Sequence, residues 1–291
     1  MAQLFDPKND FVFKKIFGSE ENKDVLLAFL NETLKHTERE ALSEIVLVNP
    51  NLDKDSLQDK LSILDVRVKT SSGKYIDIEM QLFNKYDIEK RSLYLWSKLY
   101  EAQLSEGQKY KELNKCITIN ILNYSFLPDT PYHSIFQLRE IATQLPLIDD
   151  IELHFIELPK LKESAVSLEE GLVKWLLFLK GTEKEKWEVL AMNEPQLRKA
   201  MDTLEFLSQN EEARRLYEMR QKALHDEASM LYGAREEGKA EGKAEGKAEG
   251  KAEGKFEVAR NMLGEGIAVS LISRMTGLSE QEIERLKGER H

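Results

Sequence analysis

The chain has 291 residues, 41% of them hydrophobic, and its 42 Lys+Arg stand against 52 Asp+Glu for a formal net charge of −10. This is enough for one sizeable domain with appendages, and the acidic balance argues against a protein that grips nucleic acid by charge alone. No apolar run behind positive charge opens the sequence and no stretch nears the ~18 apolar residues of a membrane span, so a cytoplasmic protein without membrane contact is expected.

The elements follow in chain order. "NDFVFKKIFGSEENKDVLLAFLNETLK" reads as a helix, a break at Gly18 and a second helix, with Val25, Leu26, Phe29, Leu30 and Leu34 recurring at helical spacing. "EIVLVNP" is a short strand stopped by Pro50, and "NLDKDSLQDK" has turn composition. Two alternating strands come next, then a long amphipathic helix in "KYDIEKRSLYLWSKLYEAQL". "KCITINILNY" is a buried strand that holds the one cysteine, Cys116, as a small hydrophobe. A single cysteine excludes an internal disulfide and a cysteine-rich zinc site, and the five histidines show no metal-ligand spacing. A further strand, "IELHFIEL", ends at Pro159. The order helix, strand, hairpin, helix, strand lets the helices cover both faces of a mixed sheet, an α/β layer architecture.

From about Leu168 the pattern is helical, and Trp175 and Trp187 are expected as core anchors. Residues 238–255 repeat GKAE with period four. In a helix this sets like charges at i,i+4, and each Gly costs about 1 kcal/mol relative to Ala, so a frayed helix or flexible spacer is expected. "ISRMTGLSEQEIERL" then resembles a helix-turn-helix with Gly277 in the turn. Its second helix carries Glu280, Glu282 and Glu284, poor company for phosphates, which sets packing or oligomerisation above DNA contact.

The hairpin "ILDVRVKTSSGKYIDIEMQLF" carries the chemistry. One face is apolar; the other holds Asp65, Arg67 and Lys69 with Tyr75, Asp77, Glu79 and Gln81. With Ser71, Ser72 and Gly73 as a three-residue loop, paired residues sum to 144. Arg67 then faces Asp77, and Asp65 faces Glu79 with their Cβ atoms only ~5 Å apart. Two carboxylates so placed repel or share a proton, unless they diverge into water. A divalent cation between them turns the conflict into a site.

These residues resemble the PD-(D/E)XK nuclease superfamily, and within it the Rpn recombination-promoting nucleases, or PD-(D/E)XK nuclease family transposases. The likeness rests on "NDFVFKKIFG", "LDVRV", "IDIEMQ", "KRSLYLWSKLY" and "MTGLSEQEIERL", which span nearly the whole chain. It implies an αβββαβ restriction-endonuclease-like core, followed by a helical C-terminal region. It implies Asp65 and Glu79 as metal-binding carboxylates, Asp10 as a further acid, Mg²⁺ or Mn²⁺ as the ion and double-stranded DNA as the substrate of an endonuclease. Where the superfamily motif ends in Lys, this chain has Gln81, so a basic group must come from elsewhere. The candidates are Lys14, one turn beyond Asp10, and Lys90 and Arg91 on the helix after the hairpin, the last two also as DNA contacts. The expected division is 1–160 nuclease-like domain, 161–237 helical region, 238–255 spacer and 256–291 small helical hairpin. The C-terminal helices are read as an oligomerisation or target-engagement region. The alternative is a catalytically inactive descendant that binds DNA or a protein partner.

Overall fold

In the computed structural model, which describes residues 3–48, 51–52, 62–63, 66–162, 167, 170–181 and 183–288, the first helix starts at a side-chain cap. Asn9 accepts a hydrogen bond from the Phe11 amide at 3.1 Å and opens α1 (Asp10–Phe17), satisfying one of the donors a helix start leaves unpaired. The helix stops at Gly18, where an added Cβ would lie 2.9 Å from the Lys14 oxygen and 3.3 Å from Val66 Cγ2. Glycine therefore lets the helix end lie against a strand. After this break α2 (Lys23–Leu34) buries the predicted stripe of Val25, Leu26, Phe29, Leu30 and Leu34.

The strands are β1 (Ile45–Leu47), β2 (Asn51–Leu52), β3 (Ser62–Ile63), β4 (Val66–Thr70), β5 (Tyr75–Gln81), β6 (Cys116–Leu122), β7 (His133–Gln137) and β8 (Ile151–Glu157). Six of them form one mixed sheet in the order β1-β4-β5-β6-β8-β7, while β2 and β3 pair separately. The β4–β5 register sets Arg67 against Asp77 and Lys69 against Tyr75, as the loop count predicts. Gly73 takes φ +90°, and an added Cβ there would meet Asn114 Oδ1 at 2.8 Å. Helix α3 (Ile88–Glu101) carries the chain from β5 to the parallel strand β6. Strand β7 is an addition to the sequence reading; its "HSIFQ" is too short and mixed to stand out from loop.

Alternation on the central strands divides the two faces. Ile76, Ile78, Met80, Ile117, Ile119, Ile121 and Ile156 turn to α1, α2 and three later helices, α4 (Gly171–Lys180), α5 (Trp187–Leu190) and α6 (Pro195–Gln209). Trp175 and Trp187 are buried in this core, as expected. The core runs unbroken from Phe5 to Ala213, so the helices after residue 160 pack as part of the first unit. Packing divides the chain into Met1–Ala223 and Leu224–His291. The opposite face of the sheet is covered by α3, with Ile88 against Leu122 and Phe155.

In the second unit the GKAE repeat is helical throughout, inside α7 (Glu211–Gly264). Three of every four repeat residues are strong helix formers, and extending a helix needs no new nucleus, so the expected spacer is continuous helix. Two short helices follow, α8 (Val269–Thr276) and α9 (Glu280–Gly288), around a small core of Ala259, Ile272, Leu278, Ile283 and Leu286. Gly277 turns between them at φ +72°. No helix among the described residues is long and apolar enough to cross a membrane.

A polar cluster lies on the core face of the sheet. Glu152 and His154 are fully buried. Lys115 Nζ lies 2.9 Å from Glu152 Oε2 and 3.2 Å from Asp149 Oδ1, and Gln137 Nε2 donates to Glu152 Oε2 at 2.9 Å. His154 Nε2 lies 2.8 Å from Glu152 Oε1, and His133 Nε2 lies 2.8 Å from His154 Nδ1. Burial, then the neighbouring His154 and His36, push the pKa of His133 down to about 3. An unfolded histidine binds its proton near pH 6.5. The stabilisation from keeping His133 neutral is therefore complete above that pH and is lost as pH falls toward 3. Glu152, held low by His154 and Lys115 against its own burial, adds a second loss in more acid solution. Thermal melts followed by circular dichroism should show stability declining from about pH 6.5 downward. His133→Gln should flatten the decline between pH 6.5 and 5, and an unchanged slope in the variant would remove His133 from the account.

Candidate active site

The polar face of β5 looks toward α3. Tyr75, Asp77, Glu79 and Gln81 alternate with the core residues along the strand, and the two acids are only 1% and 2% exposed. Carboxylates buried so deeply require charged or hydrogen-bonding company. Arg67 lies across from Asp77 in the ladder and stacks with its guanidinium carbon 5.4 Å from the Tyr75 ring, which Lys69 Nζ also approaches at 5.0 Å. At Glu79, Gln81 Nε2 donates to Oε2 at 3.1 Å and Arg91 Nη2 donates to the same oxygen at 3.0 Å.

The phase of α3 explains why Arg91 arrives there. Ile88, Ser92, Leu95 and Leu99 form the buried stripe of the helix. Ser92 Oγ lies 2.9 Å from Asn120 Oδ1, and Asn120 sits beside Glu79 in the β5–β6 ladder. Trp96 Nε1 donates to the Cys116 oxygen at 3.0 Å, one turn further along. With the helix pinned at these points, the residue before Ser92 is carried to the edge of the buried stripe, within reach of Glu79. Lys90, one position earlier, is exposed.

Cys116, beneath the same helix, is buried, and its thiol is pushed up to about 12. Burial is the largest cause, with Asp150 and Asp77 adding to it against the opposing effects of the Gln103 hydrogen bond and Arg67. It stays a thiol at neutral pH, a packing residue as the sequence suggests and not a nucleophile.

Of the predicted site residues, the structure brings Glu79, Gln81 and Arg91 together. Asp65, expected opposite Glu79, lies outside the described residues. Asp10, in the first turn of α1, is met by Arg220 Nε at 3.6 Å from Oδ2. Lys14 is half-buried one turn further on. Among the described residues no three His, Cys, Asp or Glu side chains converge as a metal cluster. Sequence reasoning leaves the source of the basic group open. The buried stripe Ile88–Ser92–Leu95, legible in the sequence, sets the phase of α3 that puts Arg91 rather than Lys90 beside Glu79.

Residues 7–234 match a family model described as PD-(D/E)XK nuclease family transposase, and residues 252–288 match one described as Rpn/YhgA-like nuclease family, C-terminal HTH domain. No curated protein and no solved structure matches the chain. The second match covers the C-terminal helices to which the sequence reading gave a packing role ahead of DNA contact.

Removing Arg91 should leave the buried Glu79 carboxylate short of its charged donor. A hydrogen bond to a charged group is worth about 1.5–3 kcal/mol. The Arg91 side chain is 37% exposed, so solvent screening puts Arg91→Ala at the lower end of that range. Urea melts should show this loss, and Glu79→Gln placed on the Arg91→Ala background should recover part of it. Additive effects of the two substitutions would mean that the pair is not coupled.

Proposed function

The chain belongs to the PD-(D/E)XK nuclease family transposases, and on that premise we propose that it is a metal-dependent endonuclease that hydrolyses phosphodiester bonds of double-stranded DNA in recombination, DNA mobility or defence. The observation that carries the reading is the buried Glu79 carboxylate, held through Oε2 by Gln81 and Arg91. Both donors reach one oxygen, Oε2, and one of them, Arg91, is itself partly exposed, so the carboxylate is held in one orientation from a side that water reaches, as a metal ligand must be.

The donors suit a hard divalent ion. Mg²⁺ keeps several waters and binds protein through one or two carboxylates. Glu79 supplies one such group, Asp65 the second on this reading, and Asp10 a third from α1. Bound there, Mg²⁺ or Mn²⁺ would supply charge neutralisation at the phosphate and an acidified water. The remaining work falls to the chain itself. Arg91 fixes the Glu79 carboxylate and brings a guanidinium beside it, a cation that could stand in for the motif lysine absent at Gln81. The Gln81 amide orients Glu79 and is a neutral donor toward a phosphate oxygen. Lys14 is the other cation in the proposed set. Lys90, exposed on the first turn of α3, is a phosphate-backbone contact. The C-terminal helix-turn-helix domain adds a DNA-engaging module, and the helical C-terminal region is where self-association is expected from sequence.

A second reading keeps the fold without the chemistry, as a module that binds DNA or protein. The specific observation behind it is Gln81, which cannot carry the charge of the motif lysine.

Supercoiled plasmid incubated with purified protein and Mg²⁺ or Mn²⁺ should be nicked and then linearised. Asp65→Ala and Glu79→Ala should each reduce the rate on the order of a hundredfold or more, the scale expected when electrostatic stabilisation of a transition state is lost. Both variants should remain folded. A wild type that binds duplex DNA without cutting it under either ion would leave the inactive module as the function.

A further inference from the structure

The segment between β7 and β8 breaks the usual rule for surface loops. Residues 138–149 are all exposed, and they read "LREIATQLPLID". Ile141 is 91% exposed, Leu147 78%, Leu145 66%, Ile148 47% and Leu138 46%, and Phe136 at the end of β7 is 44% exposed. Scattered single apolar residues on a surface need no explanation, but a contiguous group of this size does.

The segment is an ordered arm. Beyond the β7–β8 ladder and out of its register, Arg139 and Pro146 form an isolated antiparallel bridge. The Glu140 amide donates to the Leu145 oxygen at 2.9 Å and the Leu147 amide to the Leu138 oxygen at 3.2 Å. The polar side chains are tied up inside it. Arg139 donates to the Gln144 oxygen at 3.0 Å and to Gln137 Oε1 at 2.8 Å, and Glu140 accepts from the Thr143 amide and hydroxyl at 2.6 Å. The apolar side chains are left facing out from a preformed scaffold. Beside the arm, β7 is the last strand of the sheet, and its sequence, His133–Gln137, has none of the Lys, Pro or bulge devices that normally blunt an edge.

We propose that this arm and the β7 edge form a self-association surface whose occupant is the same surface of a second copy of the chain. Three considerations select that occupant. The arm and its root carry one cation, Arg139, against Glu140, Asp149 and Asp150, and the cation is already bonded within the arm, so a nucleic acid or an anionic membrane is disfavoured. An antiparallel pairing of β7 with β7 of another copy is its own symmetry mate, so one surface satisfies both sides of a twofold interface. Finally, a specific interface buries about 800 Å² per partner, and six large apolar side chains at these exposures supply most of such a patch. The pairing joins two sheets edge to edge and does not depend on the nuclease reading. It also differs from the C-terminal association expected from sequence.

Light scattering on the full chain across the micromolar range should give twice the 33.6 kDa of one chain. The double variant Ile141→Glu, Leu147→Glu should raise the dissociation constant about tenfold or more, each added charge being buried at the contact. Its melting temperature should equal that of the wild-type monomer, because both side chains are exposed. Hydrogen exchange on the wild type supplies a second readout that needs no variant: the amides of residues 134–147 should exchange more slowly as concentration rises. A wild type that stays monomeric, a dimer that survives the double substitution, or exchange independent of concentration would each overturn the proposal.

Discussion

The structure depends on how β5 disposes of its second face. As an inner strand of the sheet it lies between β4 and β6, with the main core on one side and α3 on the other. Ile76, Ile78 and Met80 satisfy the first side at once. The second places Asp77 and Glu79 beneath a helix, at 1% and 2% exposure, where an uncompensated carboxylate could not remain charged. The rest of the arrangement answers that demand. Arg67 stands opposite Asp77, Gln81 and Arg91 reach Glu79, and Ser92 on Asn120 holds the helix at the phase that brings Arg91 in. A strand with valine at 77 and 79 would need none of these partners.

The same sheet solves the problem of buried acid a second time, with a different result. Glu152 is enclosed by Lys115, Gln137 and His154, and both of its oxygens are engaged. Its charged partner, the Lys115 side chain, is itself only 7% exposed. Glu79 is as deeply buried, but its charged partner Arg91 is 37% exposed, and Gln81 sits at the end of its strand. One acid is sealed among structural donors. The other is held from a side that water reaches, the side from which a cation could replace one of its donors. Burial alone does not separate the two; the exposure of the partners does.

Much of this was legible in the sequence because it is local. Alternation fixes which side chains share a face of β5, and Gly73 in a three-residue loop fixes the ladder, so Arg67 opposite Asp77 followed from counting. What escaped depends on distant parts of the chain. Strand β7 exists because β8 offers it an edge, not because "HSIFQ" favours a strand. The helices after residue 160 join the first core through contacts between α2, α4 and α6, and periodicity within each helix cannot reveal such contacts. Taken alone, the GKAE repeat has glycines and like charges that weaken a helix, whereas its flanks supply the nucleus from which a helix extends. That Arg91 and not Lys90 reaches Glu79 depends on the rotation of α3 about its own axis. That rotation is set by Ser92 and Trp96 meeting β6.

Charge counted along a sequence also misleads in a systematic way. The acids of α9 argue against phosphate contact when each is taken as a free charge. Glu282, however, accepts from the Ser279 amide at 2.8 Å and from its hydroxyl at 2.6 Å. It is the far half of a capping box that starts the helix, and its carboxyl is held below the ordinary range, chiefly by that hydroxyl bond. An acid fixed against backbone N–H groups in the first turn of a helix partly offsets the positive end of that helix, so its field is weaker than its formal charge suggests. The net charge of −10 thus counts Glu282 as a free charge at a helix start whose positive end it partly offsets. The relevant quantity is the charge left after local capping and pairing, taken surface by surface.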